Sequence, residues 1–140
     1  MNVAQDIVVR EYQPESFDAL LGDLVKEVEL RNYRITRVNH IDNVFDQSER
    51  GFGSAVGFER YKIVEFCNLS SCVDLISPSL LAGVFMPVRF ILYQVRGGTS
   101  AFIAFLKPTA FARLFDSEAV TQVAAVLEED MHDVLEEVAF

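Results

Sequence analysis

The stretch EFCNLSSC, residues 65–72, holds both cysteines of the chain, spaced Cys-x4-Cys with an asparagine directly after the first. A cysteine at a helix N-terminus is placed for thiolate chemistry, because the helix dipole and the free amides stabilise the anion. Asn68 is of a type that caps helices. Cys67 then precedes the cap, and Cys72 is the fourth helical residue. Those are the two positions that touch in a hydrophobic staple, and cysteine packs as a small hydrophobe. The spacing therefore has a packing explanation beside the chemical one. A disulfide is the weaker reading, since residues five apart across a helix start are expected to exceed the ~7 Å limit between α-carbons. A closed zinc site needs four ligands, which two thiols and two distant histidines do not supply.

Two charged residues sit in strands that otherwise read as buried. Glu65 shares a strand face with Ile63 and Cys67. Arg89, two residues after Pro87, shares one with Ile91 and Tyr93. Charges in such strands are rarely left unpaired. They either bridge each other or line a pocket for a small polar or anionic ligand.

The histidines offer less. If the strands around His40 and Cys67 pair as an antiparallel ribbon, His40 falls near residue 60. That leaves it on the order of 20 Å from Cys67 at ~3.3 Å per residue, too far to act as its base. His40 and Asp42 share one side of a strand end, where they either hydrogen-bond as a pair at the root of the loop or, the favoured reading, are solvated. Glu128, His132 and Glu136 line one side of a helix at spacing four, too few convergent ligands for a tight cation site. Gly51, Gly53 and Gly57 in GFGSAVG approach a dinucleotide fingerprint. That fingerprint requires a helix to follow, and here a strand follows, so they read as turn residues.

The elements that must position these residues follow from periodicity. QDIVVREY reads as a first strand. A helix opens at Pro14 and carries Phe17, Leu20, Leu21, Leu24, Val25 and Val28 on one face. YRITRVNHID reads as a second strand whose alternation slips near Thr36, the mark of a bulge. Residues 43–58 read as a loop or lid. RYKIVEF is a third strand, followed by a helix over about residues 69–77. GVFMPVRFILYQV and TSAFIAFLK flank RGG as a hairpin. A long helix over residues 114–138 closes the chain, with Val120, Val123, Leu127, Met131, Val134 and Val138 in one stripe. The order predicts one α+β domain over residues 1–140: an antiparallel sheet with both long helices on one face.

Composition narrows the partners. The 140 residues carry a net charge of −9, with eight side-chain carboxylates and no Lys or Arg from Asp116 to Phe140. That excess disfavours nucleic acid and anionic membrane surfaces. No apolar run reaches the ~18 residues of a membrane span, and the N-terminus lacks the pattern of a secretory signal. Two cysteines without export predict a reducing compartment and free thiols.

From residue 61 onward the chain resembles the domain of unknown function 302 family. YKIVEFCNL, PVRFILYQVRGG and FLKPTAF carry the likeness, with Glu65, Cys67, Asn68, Pro87, Arg89 and Tyr93 at the pattern positions. The resemblance implies a β-α-β-β-(short α)-β-β-α fold similar to the TATA-box-binding-protein group, a cytoplasmic bacterial setting and a homodimer. It implies no reaction and no cofactor. The place of Cys72 is usually small in the family, often alanine, so the two cysteines are not a family unit. The function expected is a non-catalytic ligand-binding or interaction module. Glu65, Cys67, Asn68, Arg89 and Tyr93 form its site, with no metal. The alternative is a thiol-dependent enzyme or sulfur carrier using Cys67.

Overall fold

The computed structural model describes residues 2–42 and 57–139. The expected lid at 43–58 lies, but for its last two residues, outside them.

The chain opens with a single helical turn, α1 (Val3–Asp6), capped by the Asn2 side chain, and passes straight into β1 (Ile7–Tyr12). Gln5 and Asp6 thus belong to a turn and not to the strand that their neighbours predict. Helix α2 (Phe17–Leu30) starts at Ser16, whose Oγ accepts from the Ala19 N–H at 3.0 Å. Pro14 lies outside it, because the serine cap terminates the helix more effectively than proline begins it. The predicted face is the one that packs: Phe17, Leu20, Leu24 and Val28 are buried.

Strand β2 (Arg34–His40) pairs antiparallel with β3 (Phe58–Cys67), and their register shifts between Ile35 and Arg37, at the expected bulge. Asn68 caps α3 (Leu69–Ile76). A 3-10 segment, Leu80–Phe85, follows where sequence periodicity predicts strand, so β4 begins only at Val88 and runs to Val95. After β5 (Ala101–Leu106) an unexpected short helix precedes the expected closing one, which starts four residues later than predicted. Pro108 opens α4 (Pro108–Ala112), the chain turns through Asp116 at positive φ, and Ser117 caps α5 (Glu118–Glu137). Asp116 takes the left-handed conformation that Asp and Asn tolerate best after glycine, and this separates the two helices.

The strand order is β1-β5-β4-β3-β2, antiparallel throughout. This is the α+β architecture expected. α2, α3 and α4 all contact α5 and form one layer. Val64, Phe66, Phe90, Leu92, Ile103 and Phe105 point into that layer and are buried. Phe90 stacks on Phe66 at 5.2 Å and meets Phe105 edge-on at 5.5 Å. Burying one such ring contributes ~1.5–3 kcal/mol.

The alternate residues form the other face, which no described helix covers. Its strand registers align them in three rows. The upper row is Glu11, Phe102, Tyr93 and Tyr61. The middle row is Val9, Ala104, Ile91, Ile63 and Asn39. The lower row is Ile7, Leu106, Arg89, Glu65 and Arg37. Sequence alone places Arg89, Ile91 and Tyr93 in a buried strand. Their face is in fact the open one, with Arg89 exposed and Ile91 and Tyr93 half-buried.

Candidate functional site

The five expected site residues divide among three places. Arg89 and Glu65 are direct partners across β4 and β3. Their closest approach is 4.0 Å, with side chains 51% and 18% exposed. Glu65 also accepts from Asn39 Nδ2 at 3.1 Å, so the carboxylate is held from the β2 side. Arg89 is held loosely, with half of its side chain exposed.

What lies beside it is a cavity of about 230 Å³ at the end of the sheet where β4 begins, lined by Val84, Phe85, Pro87, Val88, Arg89, Leu106 and Phe111. Phe85 stacks on Phe111 at 4.7 Å and meets Phe115 edge-on at 5.9 Å, which fixes the inner wall. Arg89 is the single charged side chain of that lining. The cavity is smaller than the ~300–1,000 Å³ of sites for drug-sized ligands. A second hollow of about 230 Å³, lined by Asn2, Val3, Ile7 and Leu106, shares Leu106 with it.

Tyr93 stands two rows away in the upper row, stacked between Tyr61 at 5.8 Å and Phe102 at 5.2 Å. Burial pushes the Tyr61 hydroxyl's pKa up, and the neighbouring Tyr93 adds to the rise.

Cys67 and Asn68 lie at the end of β3, just beyond the Phe66–Val88 pair and opposite Arg34 of β2, and neither lines the cavity. Asn68 does what its position predicts: its Oδ1 accepts from the Ser71 N–H at 3.2 Å, and its Nδ2 donates to the Asn32 carbonyl at 3.0 Å. The cysteine expectation is overturned. Cys67 and Cys72 are joined as a disulfide, their α-carbons 6.7 Å apart, and neither is a free thiol. The physical reason is the staple itself. A helix that starts immediately after its cap folds its fourth residue back over the residue before the cap, bringing the two sulfurs into bonding range as well as packing range. While the bond is in place Cys67 carries no thiolate, so a thiol-dependent role for it requires the bond to be reduced first.

The histidine candidates also resolve. His40 pairs with Lys62 across the strands, far from Cys67, as the ribbon geometry predicts. The expected solvated end at His40 and Asp42 holds only for His40, which is exposed. Asp42 is 4% exposed and accepts from Lys62 Nζ at 2.6 Å, the Tyr61 N–H at 3.0 Å and Arg60 Nε at 3.3 Å. Burial pushes its pKa up. The hydrogen bonds from Lys62 and Tyr61 and the charge of Lys62 outweigh that, holding the carboxyl below the usual carboxylate range. Arg60 also pairs with Asp18 at 2.7 Å and lies 4.6 Å from the Phe17 ring centroid. The sequence reading passed over Lys62. The signal was a lysine on the same strand face as Val64 and Phe66.

Along α5 the Glu128–His132–Glu136 row is committed elsewhere. Glu128 accepts from Thr109 Oγ1 at 2.7 Å, His132 meets Phe105 edge-on at 5.2 Å, and Glu136 pairs with Arg10 at 2.7 Å. Among the described residues no cluster of three His, Cys, Asp or Glu is placed to hold a metal. None of their helices is long and apolar enough to cross a membrane.

Known proteins agree with the fold. The crystal structure of an uncharacterized conserved protein DUF302 from Bacillus stearothermophilus superposes with a TM-score of 0.82 at 18% identity, covering 96% of this chain and 98% of that one. At that identity the likeness speaks for the fold alone. No curated protein matches the chain. The profile of the family described as "Domain of unknown function DUF302" matches residues 11–138, nearly the whole length, and the chain belongs to that family.

Proposed function

We propose that the protein is a non-catalytic module that binds a small amphiphilic anion at the Arg89 cavity, and that it works as a homodimer. One observation carries the ligand reading. A half-exposed guanidinium, loosely paired at 4.0 Å, forms the one charged part of an otherwise apolar wall. Arginine's planar fork suits a carboxylate or phosphate. Phe85, Phe111 and Leu106 offer an apolar partner to the rest of the ligand. Glu65 keeps the arginine near the lower row and lends selectivity, because a ligand must compete with a carboxylate already in place. Cys67 and Asn68 act in this reading through structure, by fixing how α3 leaves β3. Tyr93 belongs to the open face and not to the cavity.

Native mass spectrometry of the purified protein tests it, with hexanoate as the added probe. The expected result is an adduct, co-purified or formed with hexanoate, that is lost in Arg89→Ala and kept in Tyr93→Phe. Absence of any adduct at millimolar hexanoate, or an adduct unchanged by Arg89→Ala, would overturn the reading.

A further inference from the structure

The cavity beside Arg89 and the hollow beside Val3 measure about 230 Å³ each, and Leu106 lines both. Taken as one, they fall within the ~300–1,000 Å³ of ordinary ligand sites. We propose that they form a single track for an unbranched aliphatic monoanion, with its carboxylate at Arg89 and its chain running over Leu106 to Ile7 and Val3. The proposal rests on the Arg89 reading above and names the class of ligand and the path of its tail.

The sheet register lays out this track. In the lower row Ile7 pairs with Leu106. The pairing of Ile91 with Ala104, carried two residues further, sets Arg89 beside Leu106. The row is therefore divided. Arg37, Glu65 and Arg89 on β2, β3 and β4 carry charge, while Leu106 and Ile7 on β5 and β1 carry none. An anion drawn to Arg89 finds a carboxylate on one side and aliphatic side chains on the other. Its apolar chain is thereby directed toward β1.

The far end of the track suits the end of a chain and not a second charged group. Asp6, next to Ile7, is taken up by Arg113 Nη2 at 2.7 Å and by the Asn2 N–H at 2.6 Å. The Asn2 Oδ1 accepts from the Ala4 N–H at 2.8 Å. Apolar surface remains at both rims: Val84 is 78% exposed beside the cavity, and Val3 is 75% exposed beside the hollow. A methylene chain laid between them takes that surface out of water. A sugar phosphate would instead set hydroxyls against Leu106 and Ile7, which offer them no partner.

The strand spacing sets the length. Arg89 and Ile7 stand two strands apart, ~9.6 Å at ~4.8 Å per strand. A residue of three backbone bonds spans ~3.3–3.6 Å, so an extended chain advances ~1.2 Å per bond. Hexanoate, at roughly 6 Å, ends over Leu106, whereas decanoate, at roughly 11 Å, reaches Ile7 and Val3.

The test is isothermal titration calorimetry of the intact chain with hexanoate, octanoate, decanoate and decylamine, with circular dichroism on every variant. Each buried methylene strengthens binding by roughly 4-fold, so decanoate is expected to bind at least about 30-fold tighter than hexanoate, with octanoate between them. Arg89→Ala is expected to weaken all three alkanoates. Val3→Asp and Ile7→Ser are each expected to weaken decanoate by about 10-fold and to leave hexanoate within about 2-fold. If Ile7→Ser disturbs β1, Val3→Asp decides, because Val3 is exposed and an acidic side chain suits the first turn of a helix. Decanoate that binds no tighter than hexanoate, or that ignores the tail variants, overturns the track while the Arg89 cavity stands. Decylamine that binds as tightly as decanoate also overturns it, by showing adsorption without a site for the anionic head. If no alkanoate binds, or if Arg89→Ala leaves their binding unchanged, the cavity reading fails and the track fails with it.

Discussion

Two of the ion pairs on strand β3 stand three residues apart, on opposite faces of one sheet. Lys62 points into the helix layer and meets Asp42 at 2.6 Å, both side chains almost fully buried. Glu65 points to the open face and stands 4.0 Å from the half-exposed Arg89. The first pair is closed. Asp42 takes three donors from β3, one of them the buried Lys62 ammonium. The second is open, with one partner too distant for a strong hydrogen bond and donors to spare. Neighbouring charges on one strand thus take different duties according to the face they occupy. The buried pair ties Asp42, just beyond the end of β2, to the start of β3, and the loose pair remains able to exchange its partner for a ligand.

The largest test of that contrast removes one member of the closed pair. Asp42→Ala strands a buried ammonium and is expected to lower stability by ~3–5 kcal/mol, read from the urea midpoint. The double variant Asp42→Ala/Lys62→Met is expected to recover most of the loss, because two apolar groups have no charge to desolvate. A double variant as unstable as the single one would show that the Asp42 contacts to Arg60 and Tyr61, and not the Lys62 charge, hold the strands together.

A pH series gives the next effect in size. The Asp42 carboxyl is held below its ordinary value in the folded chain, so the unfolded chain takes up its proton first as pH falls. The stabilisation from Asp42 is present above the unfolded value of about 3.9 and is lost as pH falls through the lower folded value. Wild-type stability is therefore expected to fall more steeply below pH 4 than that of Asp42→Asn. Parallel curves would remove Asp42 as the cause.

The smallest effect is on the open pair. Arg89→Ala is expected to change stability by less than ~1 kcal/mol, as exposed pairs do, while abolishing the hexanoate adduct. A loss as large as that of Asp42→Ala would make Arg89 a structural residue and erase the contrast.

Much of this arrangement was legible in the residues. The alternation around Thr36 located the bulge in β2, and Asn68 located the start of α3 within a residue. The three strands that build the site were found from apolar alternation. What could not be read was which face of β4 the helices cover. Arg89, Ile91 and Tyr93 alternate with Val88, Phe90 and Leu92, and both sets are largely apolar. A strand open on one side but lined with isoleucine and tyrosine looks the same in sequence as one buried on both sides. The Lys62–Asp42 pair escaped for a related reason: each charge reads as solvated until its distant partner is known, and here 20 residues separate them. The 3-10 segment at Leu80–Phe85 was hidden by its own composition. Leu80, Leu81 and Val84 are apolar but exposed, so neither burial nor period marks the segment.

The sheet is closed by its two most distant strands. Ile7 of β1 aligns with Leu106 of β5, and the Tyr12 hydroxyl donates to the Leu135 carbonyl at 2.9 Å. During synthesis at ~5–20 residues per second, β1 therefore has no native neighbour for about 5–20 s after it is made. Its docking closes a loop of nearly the whole chain, the kind of step that slows folding most. Of the five strands of this sheet, β1 is thus the earliest made and its one neighbour, β5, the latest.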